Sequence, residues 1–298
     1  MKDEPNEPKR GWIERWRLRD PRLYQIAVLG LLLIYGVTRL DLEVRPLYAA
    51  AMLATALAVQ YAGTRLARLP AFDPRSALIS GLSLCLLLRT GSLPLAILTA
   101  AVTIGAKFVI RFRGKHLFNP TNFGIVAMML ATGQVWVSPG QWGNAALFGF
   151  LMACLGGLVV NRAARSDVTY AFLAFYLAIL FGRALWLGQP SAIPLHQVSN
   201  GAFLLFTFFM ISDPKTTPDS RAGRILFALL VALGAGFVHF VLFRPNGLIL
   251  SLAFLSPAVP LLDLLLPGGR YIWRGTFTLP EQPVQLPAEP HRLERRFA

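Results

Sequence analysis

Apolar residues run along the chain in blocks of about 17 to 25 residues, the length that crosses a bilayer as a helix. Short stretches between the blocks collect the charges, prolines and glycines. Taken in order, the blocks predict ten spans, near 24–39, 47–64, 76–89, 92–110, 121–136, 143–161, 167–187, 199–213, 225–243 and 247–266. The expected fold is therefore all-α, a polytopic transmembrane helix bundle of about ten spans. Composition agrees, because 55% hydrophobic and 15% charged residues exceed what one water-soluble core can hide.

Charge then orients the spans. A net charge of +14 would suggest nucleic acid in a soluble protein, but here the basic residues sort by side. If the N-terminus is inside, 24 of the 29 Lys and Arg fall on inner segments; only Arg39, Arg45, Arg89, Arg183 and Arg244 fall on outer ends. The positive-inside rule predicts that bias, with both termini in the cytoplasm and no nucleic-acid partner. The bilayer is the expected partner, and a bacterial cytoplasmic membrane the expected location.

Residues 1–22 alternate basic and acidic side chains and carry Trp12 and Trp16, as a cytoplasmic leader ending in an interfacial helix would. No cleavable signal pattern interrupts the first apolar run. Residues 268–298, rich in Pro, Glu, Gln and Arg, read as a disordered cytoplasmic tail. Cys85 and Cys154 lie in predicted spans without metal-ligand spacing and read as small packing residues. No metal site and no self-contained catalytic motif is expected.

The membrane domain, 23–267, carries an internal echo. Ser80-Gly81 followed by the apolar run Leu82–Leu88 returns as Asn200-Gly201 followed by Ala202–Ile211, and each run meets a break containing Pro. Gly105-Ala106-Lys107-Phe108-Val109 is echoed by Gly234-Ala235-Gly236-Phe237-Val238, and Phe118-Asn119-Pro120 by Phe243-Arg244-Pro245. Halves of about 23–137 and 143–267, with five spans each, must run in opposite senses, an inverted repeat whose site is expected between the halves.

Two polar stretches on the inner side carry the candidate chemistry: Gly114–Gly124, containing Lys115-His116-Leu117-Phe118-Asn119-Pro120, and Phe209–Arg224, containing Asp213-Pro214-Lys215-Thr216-Thr217-Pro218. Asn119, Thr121 and Asn122 offer donors and acceptors where a broken segment could face a cavity. Equally, Asn and Thr cap helices, and Pro suits a first turn. Asp213 either lines a cofactor or ion path, with Lys215 facing an anionic phosphate, or caps a turn and pairs with Arg221 or Arg224. Elsewhere, His239 reads as a hydrogen-bonded packing residue, and Lys107 as a snorkelling lysine.

These two stretches resemble those of the RnfD/NqrB family, ten-span membrane subunits of ion-pumping, flavin-dependent electron-transport complexes. Trp136–Gly143 and Pro194-Leu195-His196 are similar to stand-alone members found in bacterial enediyne-antibiotic gene clusters. The resemblance implies flavin- or quinone-linked electron transport with a partner oxidoreductase or other membrane subunits. The candidate cofactor-binding residues, from the chemistry of the two polar stretches, are Asn119, Thr121, Asn122, Asp213, Lys215, Thr216 and Thr217. Family members bear a flavin linked to a Thr of a Ser-Gly-Ala-Thr-type motif. This chain lacks that motif, and its outer loop 186–200 has no Thr. A non-covalent flavin (FMN or riboflavin) or a quinone is the expected cofactor. The residues leave a second class open, a transporter or channel-like facilitator without a redox cofactor.

Overall fold

The computed structural model describes residues 20–39, 44–138, 155, 157 and 165–271. The leader through Arg19, the tail from Ile272, Cys154 and nearly all of the span expected at 143–161 lie outside the described residues. Where residues are described, each expected span is a helix or a short helix with an extension. The order is α1 (Pro21–Arg39), α2 (Pro46–Leu66), α3 (Arg75–Leu87), β1 (Leu88–Thr90), α4 (Leu93–Val109), β2 (Arg111–Phe112) and β3 (Lys115–His116). Next come α5 (Pro120–Thr132), β4 (Val135–Val137), α6 (Ser166–Trp186) and α7 (Ala192–Val198). The chain continues with α8 (Gly201–Leu205, running on as a π-helical turn over Phe206–Met210), α9 (Arg221–Phe240), α10 (Gly247–Leu255), a 3-10 turn (Ser256–Ala258) and α11 (Val259–Leu265).

Helix starts follow the local chemistry. Ser92 accepts from the Leu95 amide, Asn119 from Asn122, Asn200 from Phe203 and Ser220 from Gly223, each satisfying a donor of the first turn. Prolines stand in the first turns of α2, α4 and α5, where their missing N–H costs nothing.

Among the described residues, five helical segments are long and apolar enough to cross a membrane: α1, α2, α6, α9 and Gly247–Leu265. The chain is a multi-pass membrane protein. By contrast, α3 and α5 have 13 residues each, about 20 Å of rise against a hydrocarbon core of about 30 Å. Both continue as extended chain, and β1 pairs antiparallel with β4, Leu88 opposite Val137 and Thr90 opposite Val135. The spans expected at 76–89 and 121–136 therefore end in strand rather than helix. Backbone leaving a helix at membrane depth must find partners inside the protein, and the two-stranded ribbon supplies them.

The packing repeats in both halves. α2 lies along α4 as α6 lies along α9, and α4 meets α5 as α9 meets α10. Glycines set the closeness of these contacts: a Cβ on Gly63 would collide with the Phe108 ring, and one on Gly236 would lie 3.1 Å from Ile179. In the first half, Thr103 of α4 fills the space over Gly124 of α5; in the second, Ser251 of α10 fills that over Gly234 of α9. Small residues of this kind let helices associate where lipid offers no hydrophobic drive. Ion pairs gather helix ends at one face. α2 ends at that face, while its counterpart α6 begins there, so corresponding helices run in opposite senses.

Candidate functional site

The charged end of the bundle is an extended network. Arg22, at the start of α1, donates to Asp20 and Asp73, and Arg75, at the start of α3, binds the same two carboxylates. Arg224 at the start of α9 grips Asp167 at the start of α6 through Nε and Nη2. Lys115, in the β2–β3 hairpin, reaches Asp219 at 3.0 Å and Asp263 of α11 at 2.8 Å. Burial alone would raise the Asp73 carboxyl, but hydrogen bonds from Arg75 and the charge of Arg22 hold it below the ordinary value.

At the centre of this end, the two polar stretches meet. The Asn119 side-chain amide donates to the Met210 carbonyl at 3.4 Å and to Asp213 Oδ2 at 3.3 Å. One turn on, Asn122 Nδ2 donates to the Ile249 carbonyl of α10 at 3.1 Å. Thr121 donates to the Ser80 carbonyl of α3 at 3.4 Å. The start of α5 thus holds three broken or short segments from both halves at once.

Asp213 lies just past the π-helical turn and organises its own loop. Its Oδ1 accepts from the Lys215 amide at 3.0 Å, and its carbonyl accepts from the hydroxyls of Thr216 and Thr217. Lys215 Nζ reaches the Tyr271 carbonyl at 3.4 Å. All seven candidate residues therefore lie in one locality: Asn119, Lys215, Thr216 and Thr217 bond to Asp213, and Thr121 and Asn122 follow Asn119 at the start of α5. The capping reading of Asp213 describes its bonds. The pairing expected with Arg221 or Arg224 is not formed, because Arg224 is engaged by Asp167 and Arg221 is exposed.

Desolvation dominates the electrostatics. It raises the pKa of Asp213 against the opposing Lys215 amide and the charges of Lys107, Lys215 and Arg165, and it lowers Lys215 against the attraction of Asp213. Burial, with Arg111, Lys107 and Lys215 nearby, pushes His116 down to about 3, so its ring is neutral at pH 7. Among the described residues, Asn122 Oδ1, His116 Nδ1 and Thr207 Oγ1 are buried here without a hydrogen-bond partner, as is Thr103 Oγ1 of α4. Asn119 lies opposite Met210, and one turn along both antiparallel segments brings Asn122 and Thr207 to a similar level.

Two features escaped the reading of the sequence. Lys107 does not snorkel; it is 5% exposed and donates to Gln60 of α2 at 2.8 Å. Its neighbours in sequence gave no sign of a partner 47 positions away. Thr207, inside an apolar run, gave no signal either. His239 does pack as expected, 3.3 Å from Gln197 and edge-on to Phe240.

The arrangement defines a class: a helical membrane protein with two similarly packed halves whose interrupted helices meet at a buried polar junction. Residues 132–269 are similar to the NQR2, RnfD, RnfE family, whose model they match. Its relatives include bacterial proteins named as a subunit of an ion-translocating oxidoreductase complex. The one from Erwinia tasmaniensis is 30% identical over 151 residues, covering 49% of this chain and 38% of its own. The one from Alcanivorax borkumensis is 29% identical over 181 residues (59% and 49%), and the one from Sodalis glossinidius 32% over 133 residues (43% and 36%). The chain thus spans at most about half the length of these curated relatives.

Proposed function

We propose that this protein is a membrane subunit of an ion-translocating oxidoreductase, relaying electrons through a non-covalent flavin or quinone held at the junction of its halves. The observation carrying this reading is the convergence of Asn119 and Asn122 with the Asp213 loop, in a chain whose second half has the family's pattern. A flavin would supply one- and two-electron chemistry when bound. Asn122 Oδ1 suits a ring N–H donor, and Lys215 suits an anionic group. Asn119, Thr121, Thr216 and Thr217 spend their polar groups holding the junction together, so their role is positioning. Electrons would come from a partner oxidoreductase or another membrane subunit. The junction would face the cytoplasm, with both termini on that side of a bacterial inner membrane.

The test is the absorption and fluorescence spectrum of the detergent-purified protein, before and after denaturation and removal of small molecules. Stoichiometric flavin that leaves on denaturation is expected, or a flavin or quinone taken up on incubation. A protein that stays colourless and binds neither would overturn the redox reading in favour of a solute or ion facilitator. Fusions at Ser138 and Lys215 test the topology, since the two positions must report opposite sides.

A further inference from the structure

Every described carboxylate at the charged end is buried or half-buried and bonded: Asp20 and Asp73 to Arg22 and Arg75, Asp167 to Arg224, Asp219 and Asp263 to Lys115, and Asp213 to Asn119 and its own loop. The exposed charges at that end are, among the described residues, all guanidinium groups. Four of them, Arg65, Arg68, Arg111 and Arg113, come from the adjoining ends of α2 and α4. Close contact of Gly63 with the Phe108 ring holds these ends together, and Arg111 lies over that same ring at 5.8 Å.

We propose that this edge is a binding site for the headgroup of an anionic phospholipid, of the phosphatidylglycerol or cardiolipin class. Depth is the first argument. The arginines are framed by exposed apolar side chains, Leu66 at 85%, Val109 at 83%, Tyr61 at 49% and Phe112 at 48%, which belong against acyl chains and the interface rather than water. Guanidinium groups at that level meet headgroup phosphates, which they bind through two parallel N–H donors. Charge complementarity is the second argument, because the described carboxylates nearby are already engaged, Asp73 by Arg22 and Arg75, and Asp219 and Asp263 by Lys115.

The backbone adds a third. Arg68 and Arg113 both have φ of 49°, the left-handed region that residues with a Cβ rarely enter. At the end of α2 and in the turn of the β2–β3 hairpin, glycine would be the undemanding choice. Arginine in both places sets two more cations on the edge where Arg65 and Arg111 already stand. Arg65 is steadied by its Nε bond to Tyr61 Oη at 3.2 Å, and Arg113 lies over Phe112 at 5.5 Å.

The test is native mass spectrometry of the full chain in detergent, titrated with phosphatidylglycerol or with phosphatidylcholine. Wild-type protein should retain phosphatidylglycerol in clear preference. Replacing all four residues (R65Q, R68Q, R111Q, R113Q) should weaken that binding on the order of 600-fold, at about fivefold per basic residue near a lipid surface. The double variants R65Q/R68Q and R111Q/R113Q should each lose about 25-fold and keep the proposal testable if the quadruple variant does not fold. R244Q, past the opposite end of α9, should bind as wild type. Equal retention of the two lipids, or wild-type retention by folded double variants, would overturn the assignment. So would capture of an acidic protein that depends on these arginines while lipid binding does not change.

Discussion

The two halves solve the same problem differently. In the first, α3 and α5 stop short and their continuations zip together as the β1–β4 ribbon, so the exposed peptide groups pair with each other. In the second, the corresponding helices stay coiled but lose regularity: α8 loosens into a π turn at Phe206–Met210, and α10 tightens into a 3-10 turn at Ser256–Ala258 before α11. π-helical turns concentrate at functional sites because they shift a carbonyl out of register. Here the turn ends at Met210, whose carbonyl receives Asn119. The first half thus presents amide side chains from a regular helix start, and the second presents irregular backbone and a carboxylate. A site built this way asks rigidity of one partner and adaptability of the other.

The comparison can be broken first at its ion pairs. Arg224→Ala strands Asp167 at the start of α6, and loss of one partner of a buried pair costs about 3 to 5 kcal/mol. A large fall in the thermal midpoint in detergent is expected. Arg65→Ala, which loses only an exposed contact, should shift it little.

The glycine contacts sharpen it next. A Cβ on Gly124 would meet Thr103 at its Cβ and its backbone Cα, at 2.9 and 3.1 Å, whereas one on Gly234 meets only side chains, chiefly Ser251 Oγ. Gly124→Ala should therefore cost about 1 to 3 kcal/mol, with Thr103→Ala giving incomplete rescue. Gly234→Ala should be milder and largely rescued by Ser251→Ala, as thermal midpoints would reveal.

Asp213→Asn should leave insertion intact and thermal stability equal or higher at pH 7. The folded pKa is raised, so ionisation of Asp213 costs stability above the unfolded value, and the amide removes that cost. Flavin or quinone binding should nonetheless fall, since Asn alters the charge at the junction. Unchanged binding together with unchanged stability would detach Asp213 from the site. Smallest is the effect of His116. Its folded pKa of about 3 lies below the ordinary 6.5, so the unfolded state takes up a proton first and stability should decline as pH falls below about 6.5. His116→Gln should flatten that decline in midpoints measured between pH 7 and pH 5.

Much of this was legible from the pattern of residues. Apolar block lengths located the described spans to within a few residues, because a bilayer imposes its thickness on any helix that crosses it. The two polar stretches could be picked out because Asn-Pro and Asp-Pro are out of place in such blocks. What escaped was decided by distant partners. Nothing in the apolar run Leu82–Leu88 signals that the helix ends at Leu87, and β1, from Leu88 to Thr90, forms where Val135–Val137 lies beside it. Lys107 seemed destined for the interface until Gln60, on another helix, offered it an oxygen. The Asp20, Arg22, Asp73 and Arg75 cluster likewise joins residues more than 50 positions apart.

The β1–β4 ribbon has a mechanical consequence. Because it ties the far ends of α3 and α5 together while the near end of α5 is bonded to Ser80 of α3, those two short helices are fastened at both ends. They behave as one strut with little freedom to slide or rotate independently. α8 and its loop are joined to that strut by the Asn119 contacts, so where the sheet pairs sets the frame against which the irregular turn of the second half is held.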